Sequence, residues 1–382
     1  MYKILYIFGT RPEAIKLAPV IKEFYKYPDE FQTKICVTAQ HREMLDQFLA
    51  FFEIKPDYDL NLIHPNQSLF DITVKGLTGI KKVVEDYKPD NIFIQGDTTT
   101  AFVSALAGFY NKIKISHIEA GLRSKNKYKP FPEEVNRVLI SHLADYHFTP
   151  TKLATENLFH EGITDNVWTV GNSVIDTLCL VKELIKKRDE DKYQKFFYFL
   201  NFKKRIILVT IHRRESFGNT FKNICFALKE ISQRFKDCQI VYPVHFNPNV
   251  KLPAQDILGG IDNIFLIKPL GYDFFIWLME KSNVVLTDSG GIQEEASFLS
   301  KPVFVLRDVT ERVEGIQLGI AKLIGTKKDN IVKEISLFLM NKTKFKKFIG
   351  PVIIYGDGRT SERIVKIMEK IIKLKDHRER YL

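Results

Sequence analysis

Three acidic side chains stand at turn-like positions in one stretch of the sequence, in the phrases QGDTTTA, HIEAGLRS and FPEEVNRVL. Asp97 and Glu119 each follow a short apolar run, and Glu133 opens a helical pattern behind Pro132. Parallel sheets collect their ligands at the carboxyl ends of their strands, so acids from two such ends should lie close together. Carboxylates grouped in this way suit general acid–base catalysis.

Each acid also has a structural alternative. Asp97 precedes three threonines and could cap the next helix, and acids such as Glu133 are favoured at helix N-termini in any case. Glu119 is followed by Ala120-Gly121, which breaks a helical pattern and favours a loop at a strand end. His117 is predicted to point away from the turn of Glu119 and to be structural.

A glycine-rich turn in the second half of the sequence is typical of anion binding. Ser289, Gly290 and Gly291 follow an apolar run and precede a helical pattern. Glycines let the backbone approach a ligand, and a helix N-terminus offers free N–H groups and partial positive charge. The turn is therefore predicted to hold a diphosphate, with Glu295 accepting hydrogen bonds from a ribose diol. The alternative is a plain strand-to-helix turn without a ligand.

Two basic phrases, FGTRPEAIK and TIHRRESFG, also follow predicted strands. A proline suits the first turn of a helix, so Arg11 should lie at the turn and Lys16 on the helix behind it, where both could bind an anion. The alternative for Arg11 is an ion pair with Glu13. His212, in the second phrase, could donate to a phosphate or act as an acid.

The elements that would position these residues alternate between short β-rich runs and helix-length amphipathic stretches. Strands are predicted at 3–8, 33–38, 91–95, 114–118, 145–149 and 167–170, and in a second series at 205–211, 238–243, 263–267, 283–287, 302–306 and 321–324. Apolar strands separated by helices imply parallel sheets covered on both faces.

The charged, aromatic and irregular segment 182–204 interrupts this alternation. The expected fold class is therefore α/β, with two Rossmann-like doubly wound domains at residues 1–178 and 179–356 and an interdomain cleft. The last segment, 357–382, begins an amphipathic helix that Thr360 or Ser361 would cap.

Composition narrows the function classes. The 382 residues are 45% hydrophobic and 27% charged, as in an ordinary globular protein. No apolar run reaches the roughly 20 residues that a membrane span needs, and the start lacks the pattern of a signal peptide. A cytoplasmic location is expected, with the four cysteines reduced.

Neither a metal nor a nucleic acid is expected as a ligand. The cysteines and histidines lack metal-ligand spacing. The net charge of +11 is consistent with a lysine-rich solvated surface or with attraction to a polyanion or membrane. No basic stripe interleaved with aromatic residues indicates nucleic-acid binding.

Taken together, these phrases resemble the non-hydrolysing UDP-N-acetylglucosamine 2-epimerases over almost the whole chain. The resemblance is carried, in this order, by FGTRPEAIKLAPVI, VTAQHREMLDQ, QGDTTTA, HIEAGLRS, FPEEVNR, VGNSVID, IHRRESFG, YPVHFNPNV, LTDSGGIQEEA and RDVTERVEG. It implies a fold like that of the GT-B glycosyltransferases, with a C-terminal helix crossing back to the first domain, and a homodimer.

The implied reaction is the reversible conversion of UDP-GlcNAc to UDP-ManNAc, with no nicotinamide cofactor and no essential metal. The C2 proton of the sugar is not adjacent to a carbonyl, so deprotonation alone would be prohibitive. Loss of UDP from C1 as the proton leaves C2 gives a 2-acetamidoglucal, to which UDP then adds back. Such chemistry needs acid–base groups at C2 and cations on the leaving diphosphate.

The resemblance also implies roles for individual residues. Asp97, Glu119 and Glu133 are the acid–base candidates, with the face of C2 served by each left open, and His212 joins them as a catalytic candidate. The implied substrate-binding residues are Arg11, Lys16, Leu270 through its backbone, Phe275 beside the uracil, Ser289, Gly290, Gly291, Glu295 and Arg312.

Some positions depart from the family pattern. Gln95 stands where a histidine is common, and Leu270 where a glutamine can occur. Gln40, Arg213 and His245 resemble parts of a second, regulatory UDP-GlcNAc site, but Glu43 replaces a glutamine and no arginine near Asn66 completes that site.

Three other functions remain open. A hydrolysing epimerase would release ManNAc and UDP, although the turn RPEAIK resembles the non-hydrolysing branch. A GT-B glycosyltransferase would need an acceptor and fewer acids. A non-catalytic nucleotide-sugar sensor would bind UDP without turnover. A sugar modified at C3 or C6, and the glycan that uses the product, are also left open.

Overall fold

A computed structural model describes residues 1–38, 42–62, 67–187, 190–211, 217–341 and 352–379. The chain divides into two compact units. The first unit contains residues 1–177 and returns at 355–382, whereas the second contains residues 178–354. The domain boundaries predicted from the sequence stay predictions, since compactness alone does not show independent folding.

The first unit is built on a seven-stranded parallel sheet in the order β3-β2-β1-β4-β5-β6-β7. Its strands are β1 Tyr2–Phe8, β2 Phe31–Val37, β3 Tyr58–Asp59, β4 Asn91–Gln95, β5 Lys114–Ile118, β6 Tyr146–Thr149 and β7 Val167–Thr169. Its helices are α1 Arg11–Phe24, α2 Arg42–Phe51, α3 Leu69–Tyr87, α4 Thr99–Tyr110, α5 Glu133–Leu143, α6 Lys152–His160 and the beginning of α7 Ser173–Lys187.

The strand order of the first unit reverses between β1 and β4, which are hydrogen-bonded neighbours although β1 connects to β2 in sequence. Such a reversal opens a crevice at the carboxyl ends of the two strands. The turn that contains Arg11 follows β1, and the turn that contains Asp97 follows β4. Glu119 follows β5, the next strand along the sheet. The sheet therefore carries these predicted residues at one edge.

The C-terminal helix α15, Thr360–Glu379, belongs to the first unit and packs against α1. The sequence predicted Thr360 or Ser361 as its cap, and this prediction is wrong. Thr360 is already helical, and the buried Asp176 carboxylate accepts hydrogen bonds from the backbone N–H groups of Thr360 at 3.2 Å and Ser361 at 2.7 Å. A carboxylate from α7 thus satisfies the first donors of α15.

The second unit contains a six-stranded parallel sheet in the order β10-β9-β8-β11-β12-β13. Its strands are β8 Arg205–Thr210, β9 Cys238–Pro243, β10 Ile264–Ile267, β11 Val284–Thr287, β12 Val303–Val305 and β13 Ala321–Leu323. Its helices are the remainder of α7, α8 Asp191–Phe196, α9 Asn219–Arg234, α10 Pro248–Leu258, α11 Tyr272–Lys281, α12 Gly290–Phe298, α13 Val313–Gln317 and α14 Lys328–Leu339.

The strand order of this second sheet reverses between β8 and β11, whose last residues are joined by a hydrogen bond of 2.8 Å from Thr210 Oγ1 to Thr287 Oγ1. The predicted diphosphate turn at Ser289 begins two residues beyond β11. The predicted α/β class with doubly wound parallel sheets is confirmed in both units.

The segment 182–204 was predicted to be irregular, and most of it is not. Helix α7 continues to Lys187, with Val181 and Ile185 buried, and α8 follows. Phe197 stacks on Trp277 of α11 with ring centroids 5.4 Å apart. Aromatic packing against α11 orders a stretch whose charged residues hide its periodicity. No helix in the described part of the chain is long and apolar enough to cross a membrane.

Candidate active site

Glu119 is held by two buried side chains of the first unit. Its backbone has a φ of 66°, a conformation that side-chain-bearing residues adopt at a cost of about 1–2 kcal/mol. The Lys16 ammonium and the Gln95 amide both donate to the same carboxylate oxygen, Oε2. The amide N–H of Gly96 also donates to the carbonyl of Ile118 at 3.0 Å, which joins the turns after β4 and β5.

Asp97 is bound by Arg137 from α5. The guanidinium donates to Asp97 Oδ2 from Nε at 3.1 Å and also from Nη2. Asn136 donates from its side-chain amide to the backbone carbonyl of Asp97 at 2.9 Å. The cap of α4 is Thr98, whose hydroxyl accepts from the N–H of Ala101 at 3.0 Å. The capping alternative for Asp97 is therefore wrong, because its neighbour has that role.

Glu133 and Glu134 differ in their surroundings. Glu133 is the first residue of α5, as the sequence predicted, and its side chain is half-buried. Glu134 is buried, accepts from Arg137 at 2.8 Å, and accepts backbone N–H bonds from Ser124 at 2.8 Å and Lys125 at 2.9 Å. Through Arg137, Glu134 connects the loop after Glu119 to Asp97.

Glu13 closes the turn that follows β1. Its buried carboxylate accepts from the N–H groups of Gly9 at 3.1 Å and Thr10 at 2.8 Å, and from the Thr98 hydroxyl at 2.7 Å. Burial raises the pKa of this carboxyl above its ordinary value. A Cβ on Gly9 would lie 2.1 Å from Thr38 Oγ1, so only glycine fits there. The turn that carries Arg11 is thereby fixed against α4.

His117 is structural, as predicted. Its Nε2 lies 2.8 Å from the carbonyl oxygen of Gly96, and the ring is fully buried. Burial lowers the pKa of His117 to about 3 and, in the neighbouring strand, lowers the pKa of His147 to about 4. Both imidazoles are therefore neutral in the folded protein at neutral pH.

The lowered pKa values of these two imidazoles predict that the folded protein loses stability in acid. Between about pH 6.5 and 4 these two imidazoles bind protons in the unfolded chain but stay neutral in the folded chain. The unfolding free energy should therefore fall by roughly 1.4 kcal/mol per pH unit of acidification for each imidazole. His117→Gln should flatten the dependence of Tm on pH in this window. His142→Gln, at an exposed position on α5, is the matched control and should leave the slope unchanged. Equal slopes for His117→Gln and the unchanged protein would contradict the prediction.

In the second unit, the predicted diphosphate turn opens α12. Ser289 precedes the helix, Gly290 is its first residue, and Gly291 has open space where a Cβ would stand. A Cβ on Gly290 would lie 2.8 Å from Cζ of Arg312. The guanidinium therefore lies against the helix N-terminus, where a cation and free N–H groups together suit an anion.

Arg312 is part of a buried ionic network. It donates to Glu294 at 2.8 Å from Nε and to Glu311 at 2.6 Å from Nη1. Glu311 also accepts from Arg307 at 2.9 Å. All four side chains are buried, so each carboxylate depends on these cations for its charge to be tolerated. The network fixes the guanidinium beside the turn.

The other substrate-binding residues predicted in the second unit lie on or beside α11 and α12. Glu295 is buried one turn into α12, where its carboxylate accepts a hydrogen bond from the Tyr272 hydroxyl. Leu270 is buried just before α11, and Phe275 is buried on that helix. Tyr272 therefore links the helix of Phe275 to the predicted ribose acceptor.

Comparison with known proteins gives the family. The family model for UDP-N-acetylglucosamine 2-epimerase matches residues 24–369. The chain is 50% identical to UDP-N-acetylglucosamine 2-epimerase of Campylobacter jejuni, over 96% of this chain and 97% of that protein. It is 47% identical to the enzyme of the same name from Escherichia coli K12, over 96% and 98% of the two chains.

The chain belongs to the UDP-N-acetylglucosamine 2-epimerase family.

Solved structures of this epimerase family agree with that assignment. The Neisseria meningitidis UDP-GlcNAc 2-epimerase bound to UDP-GlcNAc superposes with a TM-score of 0.93 at 46% identity, covering 96% of this chain and all of that one. The Methanocaldococcus jannaschii enzyme, in complex with UDP-GlcNAc and UDP, gives a TM-score of 0.85 at 34% identity, covering 96% and 99%. The predicted GT-B-like fold is confirmed by these neighbours.

For an epimerase of this family, the predicted site residues fall into two groups. Asp97, Glu119 and Lys16 lie together in the first unit, with Glu133 at the start of the helix that carries Arg137. Gly290, Glu295 and Arg312 lie on or against α12 in the second unit. His212, Gln40 and Arg213 lie outside the described residues. His245 is described, and its Nδ1 accepts from the N–H of Asn247 at 3.1 Å. The roles assigned to all these residues stay predictions.

Sequence reasoning missed the residues that hold the predicted ones. Gln95 was named only as a departure from the epimerase pattern, and neither Arg137 nor Tyr272 was singled out. Glu134 is adjacent to Glu133, and only its position on the inner face of α5 distinguishes it. A helical pattern would have shown that face, because residues three apart, such as Glu134 and Arg137, share it.

Proposed function

We propose that this protein interconverts UDP-GlcNAc and UDP-ManNAc by inverting C2, without net hydrolysis. The observation that carries the proposal is the pair of carboxylates after β4 and β5, each contacted by a buried cation: Arg137 at Asp97 and Lys16 at Glu119. The full-length similarity to named 2-epimerases supports it. The cytoplasmic location expected from the sequence belongs to the same proposal.

The proposed chemistry is an elimination followed by an addition. A base takes the proton from C2 while the C1–O bond to UDP breaks, which leaves a C1–C2 double bond in 2-acetamidoglucal and free UDP in the site. A proton then returns to the opposite face of C2 as the diphosphate oxygen adds to C1. The proton count and the UDP are conserved over the cycle. Asp97, Glu119 and Glu133 are proposed to move the C2 protons.

The leaving diphosphate is assigned to the second unit. Negative charge develops on UDP as the C1–O bond breaks, so prearranged donors at that oxygen lower the barrier. The N–H groups at the start of α12 and the Arg312 guanidinium are proposed to supply such donors, and His212 is proposed to contribute. Glu295 would bind the ribose, Phe275 would lie beside the uracil, and Leu270 would contact it through its backbone.

Isotope exchange tests this function. Incubation of the protein with UDP-GlcNAc in D₂O should yield UDP-ManNAc, with deuterium at C2 in both epimers and no net loss of UDP from the sugar. Mass spectrometry and proton NMR together measure the formation of UDP-ManNAc, the deuterium at C2 and the release of UDP. Product without solvent deuterium would contradict proton exchange at C2.

The same incubation distinguishes the alternatives. Free UDP and ManNAc accumulating in proportion to turnover would indicate a hydrolysing epimerase. Turnover only with an added acceptor would indicate a glycosyltransferase, and tight UDP binding without exchange would indicate a sensor. Among the residues that the structure describes, no observation favours one of these over the epimerase.

Tyr272 gives a prediction about substrate binding. Tyr272→Phe removes the hydroxyl that donates to Glu295 and keeps the ring, so the carboxylate loses one of its fixed partners. Loss of one hydrogen bond to a charged group is worth about 1.5–3 kcal/mol, so KM for UDP-GlcNAc should rise about tenfold or more. The value of kcat should stay near that of the unchanged protein. A fall in kcat at constant KM would contradict the assignment of Glu295 to ribose binding.

We further propose that the protein is a homodimer formed through the first unit. Phe70 and Val74 on α3, and Val135 and Leu139 on α5, are exposed apolar side chains. Their spacing of four residues places each pair on one face of its helix, and α4 packs between α3 and α5. Exposed apolar surface of this kind marks association sites.

Leu139→Glu should therefore shift the protein from dimer to monomer in analytical ultracentrifugation, because it puts an unpaired charge into an apolar interface. Leu252→Glu is the matched control, since Leu252 is also exposed but lies on α10 of the second unit. A dimer that survives Leu139→Glu, or one that dissociates with Leu252→Glu, would place the interface elsewhere.

A further inference from the structure

Glu119 receives two donors of different chemistry on one oxygen. The Lys16 ammonium is charged and comes from α1, whereas the Gln95 amide is neutral and is the last residue of β4. Gln95 is only 3% exposed. An ammonium attracts a carboxylate from any direction, but a planar amide donates along a defined line. The two donors therefore have different consequences for the carboxylate.

We propose that Gln95 is a positioning residue for the C2 chemistry: its amide fixes the rotation of the Glu119 carboxylate, while Lys16 compensates the charge of that carboxylate. This inference rests on the proposed epimerase function, because it needs Glu119 to act at C2. An amide has no proton to gain or lose in the working pH range, so the orientation that it imposes does not depend on pH.

The backbone around both residues is fixed, which makes such positioning possible. Gly96 donates its N–H to the carbonyl of Ile118 at 3.0 Å, and the His117 ring lies 2.8 Å from the carbonyl of Gly96. On the far side of Glu119, Ala120 donates its N–H to the carbonyl of Phe148 at 3.1 Å. With the backbone held, the torsions of the Glu119 side chain remain to be restricted, and the two donors restrict them.

A buried glutamine can also be purely structural, and the second unit contains one for comparison. Gln239 is 4% exposed. It accepts from the N–H of Asn201 at 2.9 Å and donates to the carbonyl of the same residue at 2.8 Å. Those are backbone contacts that hold a loop to a strand. The amide of Gln95 instead binds a side chain that is a catalytic candidate, at the carboxyl end of the sheet.

Gln95→Met tests the role of the amide, since methionine has a similar length and no donor. The expected result is a fall in kcat of about 10- to 100-fold, the cost of a misplaced catalytic group. KM for UDP-GlcNAc and the affinity for UDP should stay within about twofold, since Gln95 is assigned no contact with UDP. Deuterium incorporation at C2 should slow by the same factor as kcat. Gln239→Met is the matched control and should leave kcat unchanged.

Gln95→Glu adds a readout that a structural role would not change. At pH 8 the introduced carboxylate cannot donate and repels Glu119, so kcat should fall further than in Gln95→Met. As the pH is lowered toward 6, the two carboxyls share a proton and the donor is restored, so kcat should recover relative to the unchanged protein. Circular dichroism and Tm at both pH values show whether each variant is folded.

The positioning role would be overturned by a Gln95→Met variant that keeps its kcat. It would equally be overturned by a Gln95→Glu variant whose pH profile runs parallel to that of the unchanged protein. A loss of kcat that accompanies loss of UDP binding would also overturn it, by showing general damage. Absence of C2 exchange in the unchanged protein would overturn the proposed function itself, and the positioning role with it.

Discussion

Asp97→Asn and Glu119→Gln should each reduce kcat by about 10²- to 10⁴-fold, the usual contribution of a positioned acid or base. Each substitution keeps the shape of the side chain and removes its ability to take a proton. The partner cations Arg137 and Lys16 stay in place. UDP binding should persist, because neither substitution changes Gly290, Glu295 or Arg312, the residues assigned to UDP on or against α12. Steady-state kinetics and calorimetric titration with UDP measure the two effects separately.

Asp176→Asn provides the control for these two variants. Asp176 is a buried carboxylate of the same unit, but it caps α15 and is assigned no part in the chemistry. Burial raises the pKa of Asp176. A neutral side chain should therefore be tolerated better at this position than at the position of an ion-paired carboxylate. The variant should lose stability and keep kcat. If Asp97→Asn and Glu119→Gln were as active as Asp176→Asn, the proposed site would be wrong.

Arg312→Met should destabilise the protein by about 3–5 kcal/mol, the range for breaking a buried ion pair from one side. In this variant Glu294 loses the Arg312 donor that lies 2.8 Å away. Glu311 also loses Arg312, and Arg307 remains as its cation among the described residues of this network. Uncompensated charge in the interior is the physical cause. UDP affinity should fall as well, because the guanidinium lies against the predicted diphosphate turn. Urea denaturation and UDP titration measure the two losses.

Lys328→Met is the control for this second prediction. Lys328 pairs with Glu230 at 2.7 Å in the same unit, but both side chains are partly exposed. An exposed pair contributes only about 0–1 kcal/mol, so the urea midpoint should move little. An equal loss of stability in both variants would show that burial does not decide the energetics of the Arg312 network. Arg312→Lys should keep part of the stability and lose the geometry of the guanidinium.

Most of the fold could be predicted because its strands are short apolar runs that carry their own signal. Some elements carry a weaker local signal, for identifiable reasons. Strand β3 has only two residues, Tyr58–Asp59, and helix α13 has only five. Helix α10 begins at Pro248 and contains Pro253, which obscures its start and its period. Helix α7 carries a charged exposed face into the segment 182–204, which made it look irregular.

The sequence by itself determined which residue types follow which strands. The acids Asp97 and Glu119 and the turn at Gly290 are local features. Each parallel sheet places the carboxyl ends of its own strands at one edge, Asp97 and Glu119 in the first sheet and the Gly290 turn in the second. For that reason the candidate chemistry could be predicted from the order of the motifs.

Only the tertiary structure decided which side chain holds which. Lys16 reaches Glu119 across 103 positions of sequence, and Arg137 reaches Asp97 across 40. Such pairs depend on sheet register and on the rotation of each helix about its axis, which no local pattern contains. The choice of Gln95 as a partner of Glu119 has the same origin, because adjacent parallel strands bring together residues that the sequence keeps 24 positions apart.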